Sequence, residues 1–331
     1  SGNLPPMIVV GINGMSQSYG SYFVDSKLES GANAFGAFQA YLLAIMAEVE
    51  GTYNTATATD SPANRAILGV GMGGFGAVHA AAAHPMFSAV VVHSGLLSIS
   101  DLAMPDATVA ANYPEGEVDG SIFSQLKAEW DASYESDLLD GRLIELIGHQ
   151  GSDVVSRVVA MASAFSPKLS TLYDFDMMAT SSFFSGSIPP DEDPSDNADY
   201  PLVLRDAQDP QSDLDDEYLG FRLPWAADGT PDAAVWALWE AHEPLTALQA
   251  ASEALLESDT DFFIDCGLSD ERGYANQAED FVASGSSLLG AGQFTLDFYQ
   301  GDHSALVYTE RLYTSMMWLG NILGEEALSS P

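Results

Sequence analysis

The stretch Arg65-Ala66-Ile67-Leu68-Gly69-Val70-Gly71-Met72-Gly73-Gly74-Phe75-Gly76 decides how this chain folds. An apolar run leads in and glycines crowd a tight bend. A helix of small residues, Ala77-Val78-His79-Ala80-Ala81-Ala82-Ala83, leads out. The pattern predicts strand, sharp turn, helix. In the motif G-x-S-x-G such a turn lifts a serine hydroxyl clear of the sheet. The frame in this chain is Gly69-x-Gly71-x-Gly73, with glycine at the central position. Glycine has no hydroxyl and cannot attack a carbonyl. It does adopt, without steric penalty, the strained backbone angles that the centre of such a turn demands. The following helix aims free N–H groups at the turn, where they can hold a developing oxyanion. Two other readings fit these residues: a plain glycine-rich turn, and the phosphate-binding G-x-G-x-x-G, matched by Gly69, Gly71 and Gly74. A dinucleotide site also needs an acidic residue about 20 positions on, after the second strand. The apolar run Ala89-Val90-Val91-Val92 ends instead in His93-Ser94-Gly95.

Working outward, Met7-Ile8-Val9-Val10-Gly11 is predicted as a short strand. Helical spacing of Phe35, Phe38, Leu42, Ile45, Met46 and Val49 predicts a helix over 35–50. Strands at 65–70 and 89–92 flank a helix over 75–84. Residues 121–180 read as largely helical, for example 138–149 and 154–165. Helical structure resumes over 233–256. A strand at 261–267, a helix over 275–289, a strand at 294–299 and a helix from 304 to 323 close the chain. Strands alternating with helices predict an α/β fold with a doubly wound, mostly parallel sheet. Residues 1–96 and 225–331 are read as its core, and 97–224 as an inserted, largely helical cap.

Ten basic residues stand against 48 acidic ones, a net charge of −38, and only Lys27, Lys127 and Lys168 are lysines. Such a surface repels nucleic acid and anionic membranes, so neither is expected as a partner. The charge points to a halophilic setting, either extracellular or the cytoplasm of a halophile. Residues 189–217 hold 11 acidic residues, five prolines and one basic residue, Arg205. They read as a solvated loop, where Asp191, Asp193 and Asp196 are compatible with loose cation binding but lack EF-hand spacing. The single cysteine, Cys266, excludes an intrachain disulfide and a thiolate metal cluster. No run approaches the length of a membrane span.

Three segments, in order, carry a resemblance to a family. The first is the turn Gly69–Gly76. The second is Asp265-Cys266-Gly267-Leu268-Ser269-Asp270, and the third is Gln300-Gly301-Asp302-His303. Together they resemble the putative-esterase (esterase D-like) branch of the α/β-hydrolases, which includes S-formylglutathione hydrolases and feruloyl esterases. The family's turn reads G-x-S-M-G-G-x-G; Met72, Gly73, Gly74 and Gly76 match, and Gly71 stands in place of serine. The resemblance implies Asp270 as the acid and His303 as the base, over roughly 7–95 and 225–323. Other readings stay open: Asp270 as a helix cap, and Asp302 as the acid. His79 and His84 read as packing or surface residues, and His149 and His242 as solvent-facing. His93 follows a buried strand and is a weaker pocket candidate. Ser94, Ser16, Ser18 and Ser21 are the substitute nucleophiles to consider, and Cys266 is expected to be buried and inert.

The family places a further strand with a His-Gly-type loop before the segment that matches Met7–Gly11. That loop has no counterpart ahead of Leu4-Pro5-Pro6-Met7, so two expectations stand: a truncated or processed chain, or an oxyanion hole that retains only the Met72 N–H. Trp225, in a turn-like segment, is a candidate contact for an acyl or aryl group. Phe183, Phe184, Phe221, Trp236 and Trp239 read as core. The implied function is an esterase-family protein impaired by Gly71 and kept as a binding, assembly or structural subunit. The alternative is an active carboxylic-ester hydrolase, with a Ser-Asp-His mechanism, whose serine has been altered. Neither needs a cofactor or metal; a small ester or acyl ligand and self-association are the partners compatible with the chain. With charge repulsion reaching about 10 Å at 0.1 M salt but about 3 Å at 1 M, the melting temperature should rise between low salt and 1–2 M NaCl. A flat or falling melting temperature over that range would exclude a halophilic design.

Overall fold

The structure, a computed structural model, describes residues 6–16, 20–27, 33–53, 55, 65–103, 122, 153–167, 221–224, 231–304 and 310–329. A small antiparallel pair comes first, β1 (Asp25–Lys27) with β2 (Asn33–Ala37), followed by α1 (Phe38–Thr52). Asp25 Oδ1 accepts the N–H groups of Gln39 and Ala40 at 2.9 and 3.3 Å. Those first-turn donors have no partner inside a helix, so the contact pins α1 to the hairpin.

The central sheet has four parallel strands in chain order: β3 (Ala66–Val70), β4 (Ala89–His93), β5 (Asp261–Gly267) and β6 (Phe294–Tyr299). Helix α2 (Met72–Ala83) crosses from β3 to β4. Between β4 and β5 come α3 (Asp153–Phe165), α4 (Ala233–Glu240), α5 (Pro244–Ala250) and α6 (Ser252–Glu257). Helix α7 (Tyr274–Leu289) crosses from β5 to β6, and α8 (Leu312–Ser329) ends the described chain.

The strands read as unbroken apolar runs because both faces are covered. Val90 and Val92 of β4 and Phe262 and Ile264 of β5 belong to the larger core, with Phe75 and Val78 of α2, Leu248 of α5 and Phe281 of α7. Ala89, Val91 and Phe263, one residue out of phase, face the other way and meet Leu319, Met316 and Trp318 of α8. Full burial of one such aliphatic or aromatic side chain stabilises the fold by about 1.5–3 kcal/mol. The α/β class and the parallel sheet are therefore as expected.

Several boundaries differ from the sequence reading. Met7–Gly11 forms no strand, and Ile8 and Val9 are 51 and 76 % exposed. Five apolar residues supply something to bury but do not specify a pairing partner. The 35–50 helix begins later, at Phe38, because Asn33–Ala37 pairs as β2. His303 and Ser304 belong to the turn after β6 rather than to the last helix, whose α-helical part runs over Leu312–Ser329. The predicted helix at 138–149, the acidic segment 189–217, and Phe183, Phe184, His149, Ser18 and Trp225 lie outside the described residues. So does most of the predicted cap.

His242 is not solvent-facing. Its ring stacks on Phe165 at 4.7 Å, and its carbonyl accepts a hydrogen bond from His79 Nε2–H at 2.8 Å. His79 in turn stacks on Phe75 at 4.4 Å. Burial lowers the pKa of both imidazoles to about 4, and for His242 the neighbouring His79 adds to the effect. The unfolded chain therefore takes up protons below about pH 6.5 that the folded chain refuses until about pH 4. Stability should be complete above pH 6.5 and fall toward pH 4, by about 1.4 kcal/mol per pH unit for His79 alone. Urea unfolding at pH 7 and pH 5 should show this loss, and His79→Gln with His242→Gln should reduce it. An unchanged difference in the double variant would exclude these histidines as its source.

Candidate active site

Parallel strands bring their carboxyl ends to one edge, and the chemistry-bearing residues of this chain lie just beyond those ends. Gly71 follows β3, Ser94 follows β4, Asp270 follows β5 and His303 follows β6. The backbone ladder runs past the strands: Gly71 N donates to His93 O and Ser94 N to Asp265 O, each at 2.9 Å, and Ser269 N donates to Gly301 O at 3.0 Å. This fixes the loops relative to one another.

Gly71 has φ 55° and ψ −116°, in the left-handed half of backbone space that side chains disfavour. The strained turn predicted from the glycine frame is therefore present. Its carbonyl accepts the N–H of Gly74 at 3.0 Å and of Phe75 at 3.3 Å, which starts α2. Met72 is the first residue of that helix, so its N–H has no intrahelical acceptor. The Met72 side chain turns back, and its sulfur accepts the Ser21 N–H at 3.3 Å. A Cβ placed on Gly71 would lie 3.3 Å from His303 Nε2 and 3.7 Å from its Cε1.

Asp270 and His303 meet on the far side of that ring. His303 Nδ1–H donates to Asp270 Oδ2 at 3.0 Å, with both residues buried. Asp270 also accepts the Arg272 N–H at 2.9 Å and the Cys266 thiol at 3.4 Å. Burial alone would raise its pKa. The hydrogen bond and charge of His303, with the Arg272 and Cys266 contacts, outweigh burial and leave it below the ordinary carboxylate value. The close approach of the two loops demands glycine at 267, where a Cβ would collide with the Gly301 carbonyl. Asp270 does not cap the next helix; α7 starts with Gly273 at its N-cap, φ 73°. Asp302 is not beside the ring either: its carboxylate accepts the Ser304 N–H at 3.1 Å.

Two arginines at this edge escaped the sequence reading. Arg272 Nη1 donates to His303 Nε2 at 2.7 Å. Guanidinium only donates, so Nε2 is the acceptor and the proton of the neutral ring is on Nδ1. Arg311 grips the Asp265 carboxylate through Nε and Nη2, and its Nη2 reaches Ser94 Oγ at 3.0 Å. Its Nη1 donates to the His303 carbonyl at 3.4 Å, and its guanidinium lies 4.0 Å above the Tyr299 ring. His93 belongs to this second, buried group rather than to the space around Gly71: Nδ1 bonds Asp265 at 2.7 Å and Nε2 bonds Ser315 Oγ at 3.0 Å. In a chain with ten basic residues, an arginine two positions after the candidate acid was the available signal.

The substitute nucleophiles have other engagements. Ser94 is 1 % exposed and bonded to Tyr299 OH at 3.2 Å. Ser21 Oγ donates to Gly14 O at 2.8 Å, and Ser16 Oγ to Gly20 O. Burial pushes the Cys266 thiol up, as does the Asp270 charge, so it stays protonated. Among the described residues no histidine, cysteine and carboxylate group together in a way that could hold a metal ion. No described helix is long and apolar enough to cross a membrane.

An α/β sheet with a glycine-rich strand–helix turn at its carboxyl edge, beside a histidine held by a carboxylate, defines the α/β-hydrolase class. The family model described as "Putative esterase" matches residues 1–315, and the chain belongs to that family. Among solved structures the chain is similar to one reported for carboxylesterases of the ammonia-oxidizing thaumarchaeon Nitrososphaera gargenis. Identity there is 14 %, covering 90 % of this chain and 75 % of that one, with a TM-score of 0.34. It is also similar to a peroxisomal α/β-hydrolase of Saccharomyces cerevisiae, at 13 % identity over 89 % of this chain and 62 % of that one, with a TM-score of 0.32. Likeness at this level carries no argument about activity. No curated protein matches the chain.

Proposed function

We propose that this chain is an esterase-family α/β-hydrolase in which Gly71 stands at the nucleophile position, so that ester turnover is impaired. Asp270 is the acid and His303 the base of the incomplete set, and the Met72 N–H is an oxyanion donor. One observation carries this reading: the left-handed turn at Gly71 faces His303 Nε2, 3.3 Å from where a Cβ would be. A hydroxyl carried on that Cβ could come within hydrogen-bonding reach of Nε2, as handing its proton to a base requires. What stands there has no hydroxyl, so no acyl-enzyme can form. His303 could still activate a water in the space beside glycine, a weak substitute for a positioned hydroxyl. The chain then serves as a binding or assembly subunit, taking a small ester or acyl group at the carboxyl edge of the sheet.

The alternative reading, an active hydrolase whose serine has been altered, shares the same geometry. It is separated by the codon for residue 71 in the source gene.

The unmodified chain should hydrolyse p-nitrophenyl acetate in 2 M NaCl at or near background. Gly71→Ser should give measurable turnover that disappears on adding His303→Ala. It should also lose about 1–3 kcal/mol of stability, because serine tolerates the left-handed turn poorly. Robust hydrolysis by the unmodified chain, abolished by His303→Ala, would overturn this proposal and direct attention to another nucleophile.

A further inference from the structure

The hydrogen bond from Arg272 to His303 serves no step of ester hydrolysis. Nη1 donates to Nε2 at 2.7 Å. The guanidinium is a donor only and keeps its charge at any working pH. It therefore takes up the lone pair of Nε2, the same lone pair that a hydroxyl at position 71 would use. One lone pair cannot accept both hydrogen bonds at full strength. We propose that Arg272 is a built-in block on this site, a second barrier to turnover that is independent of Gly71. The proposal rests on the reading of Asp270 and His303 as acid and base.

The block acts by occupying Nε2. Other groups also face His303. Asp270 is at Nδ1, and the Glu271 carboxylate accepts the His303 N–H at 3.1 Å. Tyr274 lies edge-on at 5.5 Å, with the charge of Arg157 beside it, and Arg311 is on the carbonyl at 3.4 Å. Arg272 alone among them touches the nitrogen that must take the proton.

Local geometry makes the arrangement a property of the loop. Asp270 Oδ1 accepts the Arg272 N–H at 2.9 Å, and the Gly273 N–H donates to the Asp270 carbonyl at 3.1 Å. The turn that aims the carboxylate at Nδ1 thus also carries Arg272 toward Nε2. Moving the loop to release one would displace the other. Only a swing of the arginine side chain itself, or its replacement, frees Nε2 and leaves Asp270 in place.

Two measurements on the full chain test this. The first compares p-nitrophenyl acetate hydrolysis by Gly71→Ser and by Gly71→Ser with Arg272→Gln, in 2 M NaCl. Because base catalysis is worth about 10²–10⁴ in rate, the double variant should gain at least about tenfold in kcat, with KM little changed. The second needs no turnover. Nitrogen-15 NMR of the histidine side chains should show His303 Nε2 shifting when Arg272→Gln alone removes the donor, while Nδ1 keeps its bond to Asp270. An unmoved Nε2 signal, or a Gly71→Ser variant that turns over and gains nothing from Arg272→Gln, would overturn the block and leave the reading of Gly71 standing. Two inactive variants with a shifted Nε2 would uphold the block and count against the elbow reading.

Discussion

Parallel register is the constraint on which everything else in this molecule depends. Four strands running the same way must end on the same edge, and the pairings Val70 with His93, His93 with Asp265 and Gly267 with Tyr299 align those ends. The loops that follow them then converge without long excursions, as ligand sites of open α/β sheets do. Gly71, Asp270 and His303 are far apart in sequence, yet each needs only a few residues beyond its strand to reach the others. The apolar runs that build the sheet are thus also what assembles the candidate site.

Beneath that site lies a second polar layer. Arg311, Asp265, His93, Ser94 and Ser315 form one buried group, edged by the half-buried Tyr299, in which each polar side chain has a partner. An unpaired charge would be costly at this depth. The Arg311–Asp265 pair is saturated by geometry: one carboxylate takes two guanidinium nitrogens while the remaining nitrogen reaches the His303 carbonyl. The layer therefore holds the histidine loop from below while Asp270 holds its ring from the side. The upper site and the lower layer share the strand ends but not their hydrogen bonds to imidazole; His93 and His303 have separate carboxylates.

Sequence patterns made the regular elements legible where packing is simple. The strands at 261–267 and 294–299 and the turn at Gly71 stand where the spacing put them, because apolar runs bounded by glycine leave few alternatives. The partnership of Asp270 with His303 was legible only through the resemblance, since no spacing rule links residues on different strands. Met7–Gly11 misled because a five-residue apolar run does not name its neighbour. His242 misled because helical position says little about what an adjoining loop packs against. Arg272 was signalled only by standing two positions after Asp270, and Arg311 not at all, because a long side chain reveals its target only once the loops are in place.

On the proposed reading, Asp270 and His303 are the acid and base of an elbow whose nucleophile position is held by Gly71. Intact-mass measurement after exposure to a fluorophosphonate tests this most directly. A positioned hydroxyl attacks phosphorus, fluoride leaves, and the histidine takes the proton. The unmodified chain should stay at its own mass. Gly71→Ser should gain one phosphonyl group, mapped to position 71 and lost when His303→Ala is added. A labelled unmodified chain, or a folded Gly71→Ser chain that remains unlabelled even with Arg272→Gln, would contradict it.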